Sequence, residues 1–447
     1  MRKLSLFAAS GLLVSAGAAG VAQAQTPPAT TYTVVSKAAI PTPPAPGTIA
    51  VSLGGLFQWF LGGGFGNGYS YKGQKLENYT QQGFARLYFG MDGQSTNGIL
   101  YGTAFQIRQN FGTSSGSGVA PSSGSGGSTL YVRTGYAYIG TPTGGTLKVG
   151  ATGGPITAFA AGMFEGFNDG GWNGDVPAFV PSNVQPLYPY EDNGVLYTTD
   201  KISYFSPRFA GFDFGVGYEP SFVTLNNSTS CSDGAAGALS TCDDLSSSNV
   251  AGDAEKRRQT VDIAARYRGT FGPAGVLVSG GWLGSGVVNE TGTTTTGAAD
   301  QRFHGLSVGH IGTEITVAGL TFGGNFSGGA ENGQWGLQPD GGKGATFYMV
   351  GAQYAIGPLI VGGSYFNNQN QGDYTGLTTK GSTEGQRVEY GVAAGGTYSL
   401  TPGIGFYLAY LYGDRKQSGY DFLAGSLGTT NNEVHSQAIG VGITTQW

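Results

Sequence analysis

Over much of this chain an apolar residue stands at every second position with glycine or a polar residue between, and few folds can use that pattern repeatedly. In residues 210–219, AGFDFGVGYE, a strand would carry Phe212, Phe214, Val216 and Tyr218 on one face and Asp213, Gly215, Gly217 and Glu219 on the other. A soluble sandwich satisfies such a strand by turning the aromatics into its core, and a membrane barrel by turning them out to lipid. The spacing of the repeats decides between these.

From residue 48 onward sixteen such runs follow one another, from AVSLGGLFQWFLG to HSQAIGVGITTQW, and their connections alternate in length. MDGQSTN, TPTGG, SPRF, TFGPA, Gly319, Gly357 and TPG are short joints, while most of the others are long. Tight turns at one end and large loops at the other are the layout of a membrane barrel, and an even strand count brings both chain ends to the short-turn side. Glycine supplies 83 of 447 residues and charged residues only 11%, against ordinary shares of ~7% and ~25%. A helical protein would lose stability from so much glycine. After the first residues no apolar run approaches the roughly 18 positions a membrane helix needs. The fold class predicted is all-β: a transmembrane antiparallel barrel of 16 strands.

Residues 1–24 carry Arg2 and Lys3, an apolar run and then Ala22-Gln23-Ala24, the pattern of a cleaved secretory signal. Residues 25–47 are rich in proline and small residues and read as an extended periplasmic tail. Residues 48–447 form the barrel. Cys231 and Cys242 lie close together in a Ser-, Asp- and Gly-rich stretch, where an exported chain is expected to form a disulfide that pins a loop. Without nearby histidine the pair does not read as a metal site. A net charge of −5 offers no basic footprint for nucleic acid. No dinucleotide fingerprint, P-loop or Cys/His array is present, so no cofactor is predicted.

The alternation assigns faces. Leu359, Val361 and Tyr365 oppose Gly362 and Ser364, and Phe406, Leu408, Tyr410 and Tyr412 oppose Gly405 and Ala409. Tyrosine and tryptophan near strand ends predict interfacial girdles. Leu306 and Val308 are out of phase with Ile311, Thr313, Ile315 and Val317, which predicts a bulge near Gly309. The same parity, with Ala85, Leu87 and Phe89, then Tyr101, Thr103, Phe105 and Ile107, then Val132, Tyr136 and Tyr138, then Leu147 and Val149 facing lipid, turns Arg86, Arg108, Arg133 and Lys148 inward on four neighbouring strands.

KISYFSPRFAGFDFGVGYE resembles the general porins of Gram-negative outer membranes, and GFARLYFGMDGQSTNGILYGTAFQIRQ and GTLKVGATGG are similar to their second, third and fifth strands. HSQAIGVGITTQW looks like their last strand, which ends in an aromatic residue read by the barrel assembly machinery. Here that residue is Trp447, where phenylalanine is usual. The resemblance implies a homotrimeric outer-membrane channel, seated in lipid and lipopolysaccharide, that admits small hydrophilic solutes and ions. It also implies a long third loop folded into the pore, here residues 151–193, with Glu165, Asp169 and Asp175 facing a basic wall. Arg86 and Arg133 stand in matching contexts, FARLYF and YVRTGY. Such a pair of walls sets a transverse field across a narrow lumen. The negative chain and the loop acids predict a weak preference for cations.

Three other readings are weaker. GLSVG at 305–309 matches a nucleophile-elbow pattern around Ser307, and His304 and His310 lie close, with His435 far along the chain. That elbow needs a strand-to-helix turn, however, and Ser307 sits inside a strand pattern. Long Gly-, Ser- and Thr-rich loops such as GTSSGSGVAPSSGSGGS suit an adhesin or receptor, but are more often surface loops. A sugar-specific channel would need an aromatic slide through the pore, and most aromatics here have outward parity.

Overall fold

The computed structural model describes residues 44–71, 73–111, 130–188, 199–221, 246–248, 256–290, 302–374 and 385–447. The predicted signal, most of the proline-rich tail and the Cys231–Cys242 pair lie outside the described residues. Sixteen strands form one closed ring. The first eight are β1 (Ile49–Gly66), β2 (Tyr79–Gln94), β3 (Leu100–Phe111), β4 (Tyr131–Thr141), β5 (Gly145–Ala151), β6 (Asp200–Phe205), β7 (Phe212–Ser221) and β8 (Arg257–Phe271). The second eight are β9 (Ala274–Val287), β10 (Ser307–Val317), β11 (Leu320–Ala330), β12 (Ala345–Ile356), β13 (Leu359–Asn370), β14 (Arg387–Thr401), β15 (Ile404–Lys416) and β16 (Glu433–Gln446).

Consecutive strands pair antiparallel, and β16 closes on β1 from Leu56 opposite Gln446 to Gly66 opposite Ser436. One rung further, Gly55 and Trp447 exchange backbone hydrogen bonds of 3.1 Å each way. The indole lies over Gly55, where a Cβ would fall 2.1 Å from the ring. Short joints tie the strands at one end. Between β10 and β11, Ala318 and Gly319 both have positive φ, +48° and +84°, and Val317 faces Leu320. That is the two-residue turn whose twist matches paired strands.

The outer face is apolar, with Phe214, Val216, Val350, Leu408, Ile439 and Val441 all exposed. Near the long loops, Tyr348, Tyr365, Tyr390 and Tyr412 on β12–β15 form a row with successive ring centroids 6.0, 6.2 and 6.1 Å apart. Near the short turns, Phe212 lies 4.7 Å from Tyr267, and Tyr267 lies 6.2 Å from Phe271. Two aromatic rows bounding an apolar band suit the two interfaces of a bilayer.

Two strand phases differ from expectation. β10 has no bulge at Gly309, since its register is unbroken from Ser307 to Val317 against β11. Instead Val308 points inward into an apolar cluster with Leu306, Leu283 and Leu337, while Ile311 faces out. A bulge that the alternation did not predict lies on β4: Gln106 pairs with Thr134 and Ile107 with Val132, which leaves Arg133 as the extra residue. Beyond it the phase inverts, so Ile139 is exposed, whereas Tyr136 is buried and the Tyr138 hydroxyl donates inward to Asp92. Arg133 faces inward as predicted, but these two tyrosines do not face lipid.

Candidate functional site

The connection after β5 holds a short helix α1 (Pro155–Ala158) and two 3-10 turns, Gly171–Asn173 and Val176–Phe179. Its side chains touch the buried face of one strand after another. Pro155 lies over Gly215 and Gly217 of β7, and the Ile156 N–H donates to Asp262 of β8 at 2.8 Å. Ala161 O accepts from Asn325 of β11 at 2.8 Å. Phe164 covers Gly351 of β12, where a Cβ would fall 2.6 Å from the ring, and Phe167 covers Gly362 of β13. Trp172 donates to Val392 O of β14 at 3.1 Å and lies against Gly413 of β15. Val176 lies on Gly440 of β16 and Phe179 on Gly62 of β1. At these positions the close approach leaves no room for a side chain, which accounts for many of the wall glycines.

The return arm is held from the other side. The Tyr69 hydroxyl donates to Phe179 O at 2.8 Å, and Arg415 reaches Asn183 O at 2.9 Å while bonding Glu389 at 2.7 Å. Gln334 donates to Tyr188 O at 3.1 Å. Tyr188 itself sits among Phe347 and Phe366, ring centroids 6.3 and 5.5 Å away.

All four predicted cations face inward. Arg86 and Arg108 are rung partners on β2 and β3, and their guanidinium carbons stand 4.5 and 4.2 Å from the Phe84 ring. Arg108 bonds Asp175 at 2.8 Å. Lys148 is only 2% exposed, its ammonium 4.9 Å from the rings of both Tyr136 and Phe205. It is sealed beneath these rings, a placement that parity could not reveal.

The three loop acids separate. Asp175 meets the basic wall, and its carbonyl also accepts from Gln82 of β2 at 2.8 Å. Glu165 accepts from the Tyr188 hydroxyl at 2.5 Å and from Asn173 at 3.3 Å. Asp169 is 3% exposed and does not face the arginines, because the loop spends its oxygens on its own backbone and on β1. Burial, and secondarily the Asp175 charge, push its carboxyl up to about 7, against the pull of the Val176 and Asp175 N–H groups and the Gln58 amide. Gln58, Phe84 and Tyr407 went unnoticed in the sequence, although Gln58 is flagged by its place between the outward Phe57 and Trp59.

The motif around Ser307 does not assemble a nucleophile. Ser307 faces outward and its Oγ accepts the Trp282 indole N–H at 3.2 Å, while His310 points to the opposite face. His304 pairs instead with Asp340 at 2.7 Å, joining two long loops.

The ring is similar to the anion-selective porin from Comamonas acidovorans, 15% identical, over 90% of this chain and 100% of that one, with a TM-score of 0.52. It is equally similar to a Salmonella typhi OmpF complex with daunomycin, 15% identical over 89% of this chain and 97% of that one, TM-score 0.52. Likeness at that identity speaks for the fold alone. No curated protein matches the chain. The family model for Gram-negative porins, however, matches residues 9–418, nearly the whole of the ring and its loops. The chain belongs to the Gram-negative porin family.

Proposed function

We propose that this outer-membrane channel passes small hydrophilic solutes and ions by passive diffusion, and that the loop after β5 sets its width. The observation that supports the second part is the succession of contacts from β7 round to β1, ending on Arg108 of β3. A loop held against so many strands occupies lumen that the bare ring would leave open. Its tip reaches the wall at Arg108, beside Arg86, and so stands at the edge of the water path that remains.

Among the described residues that tip brings one carboxylate, Asp175, to three guanidinium groups. The preference we propose is therefore for anions, the reverse of the sign drawn from net charge, because selectivity follows the charge at the narrowest place. The channel functions as a homotrimer seated in lipid and lipopolysaccharide, and Trp447 is the residue read by the barrel assembly machinery. Export removes residues 1–24, and the channel performs no catalysis. Single-channel conductance in planar bilayers, with a salt gradient for the reversal potential, tests the reading. A conductance no larger than that of bare bilayer would overturn it, and a cation-directed reversal potential would overturn the selectivity.

A further inference from the structure

Asp169 stands behind the loop rather than on its lumen side, at the meeting of two sets of donors. On one side is Gln58, wholly buried on β1, whose amide nitrogen donates to Asp169 Oδ1 at 2.5 Å and to the Tyr407 hydroxyl of β15 at 3.1 Å. On the other side Asp169 Oδ2 accepts the backbone N–H groups of Asp175 at 2.7 Å and Val176 at 2.9 Å. The turn between is drawn tight. Gly170 and Gly171 have φ of +113° and +61°, and Asn168 Oδ1 accepts both of their N–H groups at 3.0 and 2.9 Å. A Cβ on Gly174 would fall 2.4 Å from Asp169 O.

We infer that Asp169 is a positioning residue for selectivity: its carboxylate latches the 170–176 turn to the wall at Gln58 and so fixes the Asp175 carboxylate against Arg108. The inference rests on the reading of that pair as part of the constriction. A carboxylate suits the task because its two oxygens can serve both sides at once. An amide can do so too, if Gln58 turns over. Among the described residues Gln58 Oε1 has no hydrogen-bond partner, so after a flip it would accept from the new amide nitrogen while the amide oxygen keeps the turn. Alanine offers nothing to either side and leaves buried donors unmet.

The test records single channels of Asp169→Ala, Asp169→Asn and Asp175→Asn under a salt gradient. Asp175→Asn is expected to move the reversal potential with a quiet current. Asp169→Ala should move it in the same direction and raise the current noise several-fold as the tip wanders. Asp169→Asn, although neutral, should restore both towards the parent. Equal shifts in the alanine and asparagine variants would show a direct charge effect and overturn the inference, as would an alanine variant identical to the parent. An unmoved reversal potential in Asp175→Asn overturns the constriction reading instead, while noise in Asp169→Ala still reports the latch. Should Asp169→Ala fail to fold, Gln58→Ala removes only the wall end without changing charge. Noise there supports the latch, and a quiet Gln58→Ala channel sinks it.

Discussion

Asp175 Oδ1 stands 2.8 Å from Arg108 Nη2, which joins the tip of the loop after β5 to the wall at β3. The pair is partly exposed, 11% and 29% for the two side chains, so water screens it and its contribution to stability is small. Its effect on permeating ions is larger. A unit charge at about 4 Å is worth ~1 kcal/mol in water, roughly fivefold in ion partitioning. Arg108→Gln is therefore expected to move selectivity towards cations by a factor of that order, measured as reversal potentials. Raising the salt concentration should shrink the difference.

Neutralising Arg86 and Arg133 together should widen the lumen and raise cation preference further. The two guanidinium groups are long side chains as well as charges, and glutamine is shorter than arginine. Conductance and reversal potential are expected to change together in the double variant. A change in selectivity at constant conductance would place both groups away from the narrowest point.

Gly351 is the seat of Phe164. A valine there meets the ring within 3 Å, an overpacking that costs about 1–3 kcal/mol in an interior. The ladder of β12 continues on both sides, so Gly351→Val is expected to displace the loop and leave the ring closed. Heat-modifiable migration in mild detergent should persist while the current becomes noisier. A variant that no longer folds would show that this contact supports the barrel itself.

Glu331, in the loop after β11, is buried, and its Oε2 accepts the Trp335 N–H at 3.3 Å. Burial pushes its carboxyl from 4.5 up to about 7. Burial penalises the charged form more than the Trp335 N–H favours it, so the stabilising contribution is fully present below pH 4.5 and is lost as pH rises through about 7. The protection of the Trp335 amide, its exchange rate taken relative to the hydroxide-catalysed rate common to all amides, should therefore fall between pH 5 and 8. Glu331→Gln is expected to flatten the dependence, and an unchanged slope would remove Glu331 as its source.

Most of the ring was legible because a period of two needs no knowledge of distant residues. The sixteen strands and the inward aim of Arg108 and Lys148 follow from parity alone, the seven short joints from the lengths between the runs, and Arg86 from parity together with its FARLYF context. The Arg133 bulge leaves no mark in composition, so Tyr136 and Tyr138 read as lipid-facing. Parity also assumes a uniformly polar interior. Val308, Phe347 and Phe366 break that assumption because loops pack against the inner wall and give apolar side chains a dry place to face inward. The burial of Asp169 depends on Gln58, over a hundred positions earlier, and only the folded loop brings them together.

The pairing of Leu56 with Gln446 also governs how such a molecule can come into being. The ring's first strand finds its second neighbour only when the last strand arrives, so no shorter stretch of chain can close. Until then the growing sheet has two bare edges whose N–H and C=O groups hydrocarbon cannot satisfy. A half-delivered chain therefore has no resting place in the bilayer, and insertion must wait for nearly the whole polypeptide and then proceed as one event.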